Sequence, residues 1–191
     1  MQHFSNSSKE ITIKWKVAIL PNKIEKELLD QILYRLPKNA HLRIDANAGW
    51  SRSQANEWGN YLKGEKRLEW IEQPLASNDI AGLTELATKV PVALDESLID
   101  YPKLRKTWRS WQIRKPLLEG DPRILLNELN NKVAFRTIST AFETGIGRRW
   151  VEYLATLQQK GPTPTVPGLG RGWCPNGELF SGNPESVWRS V

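Results

Sequence analysis

Short strand-like runs alternate with helix-like segments along almost the whole chain, about six times over. That alternation is the strongest constraint on what the chain can become. It implies parallel strands joined by right-handed crossovers. The expected strands are 11–19 (ITIKWKVAI), 41–47 (HLRIDAN), 68–74 (LEWIEQP), 90–97 (VPVALDES), 111–116 (WQIRKP), 134–140 (AFRTIST) and a short final one at 163–168 (TPTVPG). Between them, helical periodicity covers 22–36, 51–63, 78–88, 101–108, 121–131 and 145–159. Asn22 is placed to cap the first helix and Ser51 the second, Pro37 ends the first, and Pro122 suits a first helical turn. The apolar face of the first helix is Ile24, Leu28, Ile32 and Leu36. That of the second is Ala55, Trp58, Tyr61 and Leu62. Residues 1–10 are polar and are expected to be frayed, which leaves one domain over 11–191. An open doubly wound sheet and a closed (β/α) barrel both satisfy the pattern. No Gly-rich phosphate loop follows the first strand, which argues against dinucleotide binding.

Several of these strands finish in a charge: Lys14 and Lys16, then Asp45, Glu72, Asp95 and Lys115. A parallel strand covered on both faces reads as apolar throughout, so a charge at its C-terminal end is costly unless that end opens onto a site. The gaps from Lys16 onward are 29, 27, 23 and 20 residues, each about one strand-plus-helix unit. Any one of these charges alone is as a rule a cap or a solvated residue. Their recurrence at the same place in consecutive units is not explained that way. Three carboxylates at neighbouring strand ends repel one another without a cation, and hard oxygen ligands suit Mg²⁺, with Mn²⁺ as the alternative. A lysine beside a cation in a dry pocket has its pKa lowered from the usual ~10.4 and can act as a base near neutral pH.

Composition narrows the remaining classes. Lys plus Arg number 27 against 21 for Asp plus Glu, a net charge of +6. The positive charges are scattered, in clusters no longer than pairs such as Arg148-Arg149, and no aromatic stacking platform accompanies them. No nucleic-acid partner is therefore expected. The single cysteine, Cys174, excludes an intrachain disulfide framework. No apolar run approaches the ~20 residues that span a bilayer, and no secretory signal opens the chain. A cytoplasmic location without membrane contact is expected.

The motifs TIKWKVAI, RIDANAGW, WIEQP, ALDES, RKPLLEGDP, ISTAFETGIG and PGLGRGW occur in this order from Ile11 to Trp173. As an ordered set they resemble the enolase superfamily, and within it the o-succinylbenzoate synthase branch of cyanobacterial type. The resemblance implies a fold: an incomplete (β/α) TIM-type barrel of about seven parallel strands with helices outside. It implies roles as well. Lys16 is the acid/base, and Lys14 assists it and helps hold the substrate carboxylate. Asp45, Glu72 and Asp95 bind Mg²⁺, and Lys115 lies on the opposite face. Asn47 stands near the metal, and Ser139 with the 168–170 segment, Gly168 and Gly170 included, lines the substrate pocket. The implied reaction dehydrates 2-succinyl-6-hydroxy-2,4-cyclohexadiene-1-carboxylate to 2-succinylbenzoate, in menaquinone or phylloquinone biosynthesis. The partner is thus a small-molecule carboxylate. Racemases, epimerases and cycloisomerases of the superfamily share the two lysines and the metal and are the alternative activities. No segment of the chain matches the family's N-terminal capping domain or first barrel strand. The expectation is therefore that residues 1–191 made alone are poorly stable and weakly active or non-catalytic, with open strand edges prone to self-association. Arg114 replaces an apolar residue of the family and points into the helix layer, a costly place for a charge.

Overall fold

The computed structural model describes residues 11–170 and 175–191. The 1–10 stretch expected to be frayed, and residues 171–174 with Trp173 and Cys174, lie outside the described residues. Six strands form one sheet in chain order: β1 (Thr12–Lys16), β2 (His41–Asp45), β3 (Leu68–Glu72), β4 (Val92–Leu94), β5 (Trp111–Arg114) and β6 (Arg136–Ile138). The β1–β2, β2–β3, β4–β5 and β5–β6 pairings are parallel. Helices α1 (Asn22–Arg35), α2 (Arg52–Leu62), α3 (Ile80–Ala87), α4 (Glu96–Asp100), α5 (Leu104–Thr107), α6 (Pro122–Asn130) and α7 (Gly145–Gln159) intervene or follow, and α8 (Pro184–Arg189) comes last. This is the element order of an incomplete TIM-type barrel. Among the described residues no helix is long and apolar enough to cross a membrane. The expected seventh strand is reduced to one parallel bridge, Ser139 to Gly168. Pro164 and Pro167 carry no N–H, so this stretch cannot sustain a ladder. The helix expected over 101–108 is the short α5, and the strand expected over 90–97 ends at Leu94, with α4 beginning at Glu96 and closed by Tyr101.

The chain divides into two compact units, Met1–Val92 and Ala93–Val191. In the first, Leu42, Ile44 and Ile71 of the strands are buried, as are Leu29, Trp58, Leu62, Leu83 and Leu86 of the helices. Gly59 lets α2 approach α3: a Cβ there would come within 2.5 Å of the Leu86 side chain. Ser51 caps α2 as expected, in a reciprocal capping box with Gln54.

The start of α1 differs from expectation. The cap position is Pro21, and Asn22 makes no cap bond. Asn22 instead accepts from Trp58 Nε1 at 2.5 Å and donates to Glu57 at 2.8 Å. The inward residues of α1 are Glu25 and Leu29, while Ile24 is 44% exposed. Glu25 turns in because it accepts the backbone N–H groups of Ala18, Ile19 and Leu20 at 3.0, 2.9 and 3.0 Å. It thereby satisfies the turn that follows β1. Tyr61, expected on the apolar face of α2, is 45% exposed and donates to Asp30.

In the second unit, Ile138 packs with Leu125 and Leu129 of α6 and with Val151, Leu154 and Ala155 of α7. Arg114 does enter the helix layer and is 0% exposed. Its cost is offset by two carboxylates. Nε donates to Glu119 Oε1 at 2.8 Å and Nη1 to Glu128 Oε2 at 2.6 Å, and Arg136 shares Glu128 at 2.8 Å. Removing one partner of such a buried network leaves charge uncompensated. Arg114→Met is therefore expected to lower the unfolding free energy by about 3–5 kcal/mol. Urea denaturation would read this as a lower midpoint at unchanged slope; an unshifted midpoint would show that the network adds nothing.

Candidate active site

Strand parity builds the first half of the site. Lys14 and Lys16 are two residues apart on β1 and share a face, as do Arg43 and Asp45 on β2. In register, Lys16 pairs with Asp45 and Asp45 with Glu72. The C-terminal ends of β1, β2 and β3 thus bring two ammonium groups against two carboxylates. Lys14 Nζ lies 2.9 Å from Asp45 Oδ2 and 2.6 Å from Glu72 Oε1, and Lys16 Nζ lies 3.0 Å from Asp45 Oδ2. The carboxylates are almost fully buried, while the side chains of Lys14 and Lys16 keep 42% and 57% of their exposure.

The loop after β2 completes this cluster. Asn47 Oδ1 accepts from Lys16 Nζ, and the Asn47 N–H donates to Asp45 Oδ1 at 3.1 Å. Asn47 and Ala48 adopt positive φ, a strained conformation held by outside bonds. Ala48 N–H donates to Gln73 carbonyl at 2.7 Å, and Trp50 N–H to Pro74 carbonyl at 3.2 Å. Gly49 is required by close approach, since a Cβ there would sit 2.6 Å from the Ala18 Cβ. Trp50 stacks on Trp58 with centroids 4.9 Å apart, and Trp15 of β1 packs on Trp58 from 6.2 Å. The outward face of β1 is thereby tied to the loop that carries Asn47.

The second unit holds the remaining residues. Lys115 follows β5 and grips Asp95 through both carboxylate oxygens, at 2.6 and 2.7 Å. Ser139 follows β6, and its N–H donates to the Arg114 carbonyl at 2.9 Å. The Gly168 carbonyl accepts from Ser139 Oγ at 3.3 Å and from the Thr140 N–H at 3.1 Å. A Cβ on Gly168 would meet Ser139 Oγ at 2.7 Å, so only glycine allows this approach. Gly170 lies beyond it, beside Thr140.

The structure therefore brings Lys14, Lys16, Asp45, Asn47 and Glu72 together in the first unit. In the second it joins Asp95 with Lys115, and Ser139 with Gly168. Among the described residues no three His, Cys, Asp or Glu side chains gather as a metal centre. The donor chemistry of Asp45 and Glu72 nevertheless fits a hard divalent cation. They are adjacent buried carboxylates that face positive charge, here the ammonium of Lys14. Sequence reasoning missed Trp70, whose indole N–H donates to Glu72 Oε2 at 3.2 Å, and Glu25 beneath the turn after Lys16. Parity was the available signal for Trp70, two residues before Glu72.

The lowering of a lysine pKa is expected beside a bound cation; Lys14 here faces two carboxylates. Burial acts to lower its pKa, but the adjacent Glu72 and Asp45 carboxylates outweigh burial and hold the ammonium above its ordinary value. For Asp45, burial acts upward, and Lys14 and Lys16 outweigh it, so its carboxyl is held below the ordinary 3.8. A depressed carboxyl stabilises the fold above its unfolded value and loses that contribution as pH falls through the folded value. In Lys14→Met the Asp45 carboxyl is expected to titrate at higher pH than in wild type, followed by carbon NMR of the side-chain carboxyl. An unchanged titration would show that Lys14 does not set it.

Comparison with known proteins extends this picture. The family profile described as enolase C-terminal domain-like matches residues 11–110. The o-succinylbenzoate synthase of Thermosynechococcus vestitus is 33% identical over 160 residues, which cover 78% of this chain and 50% of that protein. An L-Ala-D/L-Glu epimerase of Francisella tularensis subsp. novicida is 35% identical over 92 residues, 47% of this chain and 26% of its own. Among solved structures, the o-succinylbenzoate synthase of Thermosynechococcus elongatus BP-1, complexed with Mg in its active site, superposes with TM-score 0.78 at 29% identity. The match covers 96% of this chain and 60% of that one. A muconate lactonizing enzyme shares the fold, with TM-score 0.66 at 22% identity over 81% of this chain and 45% of its own. The chain spans about half the length of the o-succinylbenzoate synthases it matches. With its matching segment, strand order and strand-end charges, the chain belongs to the enolase C-terminal domain-like family.

Proposed function

We propose that the site performs Mg²⁺-assisted removal of a proton next to a carboxylate, followed by loss of water, as an o-succinylbenzoate synthase-like dehydratase acting in the cytoplasm. The observation that carries this reading is the convergence of Lys14, Lys16, Asn47, Asp45 and Glu72 at the ends of three adjacent strands. The similarity to o-succinylbenzoate synthases supports the choice of substrate, a small cyclohexadiene carboxylate. Asp45 and Glu72 would hold the cation, and we assign Asp95 as the third ligand from the sequence resemblance. When bound, Mg²⁺ supplies positive charge against the second negative charge that develops on the substrate carboxylate.

The steps belong to the chain's own residues. Lys16 Nζ takes the proton from the carbon next to the carboxylate, and the C–H electrons move onto the carboxylate as its second negative charge, to return as the new ring double bond when the hydroxyl departs. The C–O bond to the ring hydroxyl then breaks, and the proton on Lys16 Nζ leaves with the hydroxide as water. Asn47 Oδ1 holds that Nζ, which limits where it can point. Lys14 presents its ammonium to the substrate carboxylate. We place Lys115 over the ring, where an ammonium is worth about 2 kcal/mol once desolvated. A second reading, epimerisation at the carbon next to a carboxylate, draws on the epimerase relative and uses the same lysines without loss of hydroxide.

Lys16→Ala is expected to abolish turnover of the cyclohexadiene substrate, whereas Lys115→Ala lowers it about 10²–10³-fold, as for loss of one preorganised electrostatic partner. Full turnover in Lys16→Ala would identify another group as the base. In parallel, calorimetry should show divalent binding that is lost in Asp95→Asn; equal binding in both would remove Asp95 from the ligand set.

A further inference from the structure

Beneath the paired carboxylates lies a layer that the reaction does not use. The β2–β3 register slips by one residue: Leu42 pairs with Leu68, but Arg43 pairs with Trp70. Glu69 is the extra residue, and the bulge brings both Glu69 and Trp70 against Arg43. The Arg43 guanidinium lies 4.2 Å from the Trp70 ring centroid, and its Nε donates to Glu69 Oε2 at 2.5 Å. Both Arg43 and Trp70 are buried. The indole N–H then reaches up its own strand to Glu72 Oε2 at 3.2 Å, while Glu72 Oε1 faces Lys14 at 2.6 Å.

We propose that Trp70 is a positioning residue for divalent-cation binding, its indole N–H fixing the Glu72 carboxylate so that Oε1 is the oxygen presented to the cation. This rests on the metal reading above and adds to it the group that orients one ligand. Three observations carry it. A buried indole N–H requires an acceptor, and here the acceptor is a ligand carboxylate rather than a backbone carbonyl. A guanidinium over the ring face draws electron density from the indole and strengthens its N–H as a donor. Glu69 holds the guanidinium in place, so the stack is rigid from the bulge upward. Groups that orient metal ligands from behind typically change metal affinity 10–100-fold when lost.

The test compares divalent affinity in the full chain by calorimetry with Mg²⁺ and with Mn²⁺. One variant carries 3-benzothienylalanine at position 70, which keeps the ring system and replaces N–H by sulfur. The other is Trp70→Phe. Both are expected to bind 10–100-fold more weakly than wild type, and the benzothienyl variant is expected to keep the wild-type thermal midpoint. A purely packing role for Trp70 would leave the affinity of the benzothienyl variant unchanged. That outcome overturns the proposal while the metal reading stands. Absence of divalent binding in wild type would overturn both.

Discussion

Two buried carboxylates on neighbouring strands set the terms for the first unit. Asp45 and Glu72 are register partners at the ends of β2 and β3. At such separations two like charges in a low-dielectric setting repel strongly, and each would be protonated or exposed without a nearby cation. Lys14 supplies that cation by bridging both, and Lys16 adds a second contact to Asp45. The arrangement is costly to the fold and is retained at the strand ends, where a (β/α) sheet places its chemistry.

The surrounding structure serves to hold these few atoms. Glu25 satisfies the turn after Lys16, and the backbone bonds from Ala48 and Trp50 to the 73–74 segment lace two successive loops. The tryptophan stack joins the outward face of β1 to the loop that carries Asn47. Below, the bulge at Glu69 and the Arg43–Trp70 stack form a rigid support for Glu72. In the second unit the same logic protects Arg114, which is held in the helix layer by Glu119 and Glu128.

Much of this was legible in the sequence because periodicity and strand-end charge are local signals. The six strands lie within a few residues of the positions that alternation assigns, and the parity of Lys14 with Lys16 put both lysines on one face. What escaped the sequence depends on partners far along the chain. The inward turn of Glu25 is decided by three backbone donors of the preceding turn, not by the helical pattern, which favoured Ile24. Asn22 serves Trp58 and Glu57, 36 and 35 residues away, rather than its own helix. The register slip at Glu69 has no local signature, so the stack beneath Glu72 could not be read. The last strand failed for a reason that was visible, since the prolines of the 163–168 stretch deny it a ladder.

The most direct test of the central claim, that a cation must stand between Asp45 and Glu72, is the stability of Lys14→Met with and without divalent ions. Urea unfolding is measured in chelator and again in millimolar Mg²⁺. In chelator the variant is expected to be less stable than wild type, and Mg²⁺ is expected to restore the lost stability, with a larger gain than in wild type. Equal stability of variant and wild type in chelator, with no response to Mg²⁺, would contradict the account.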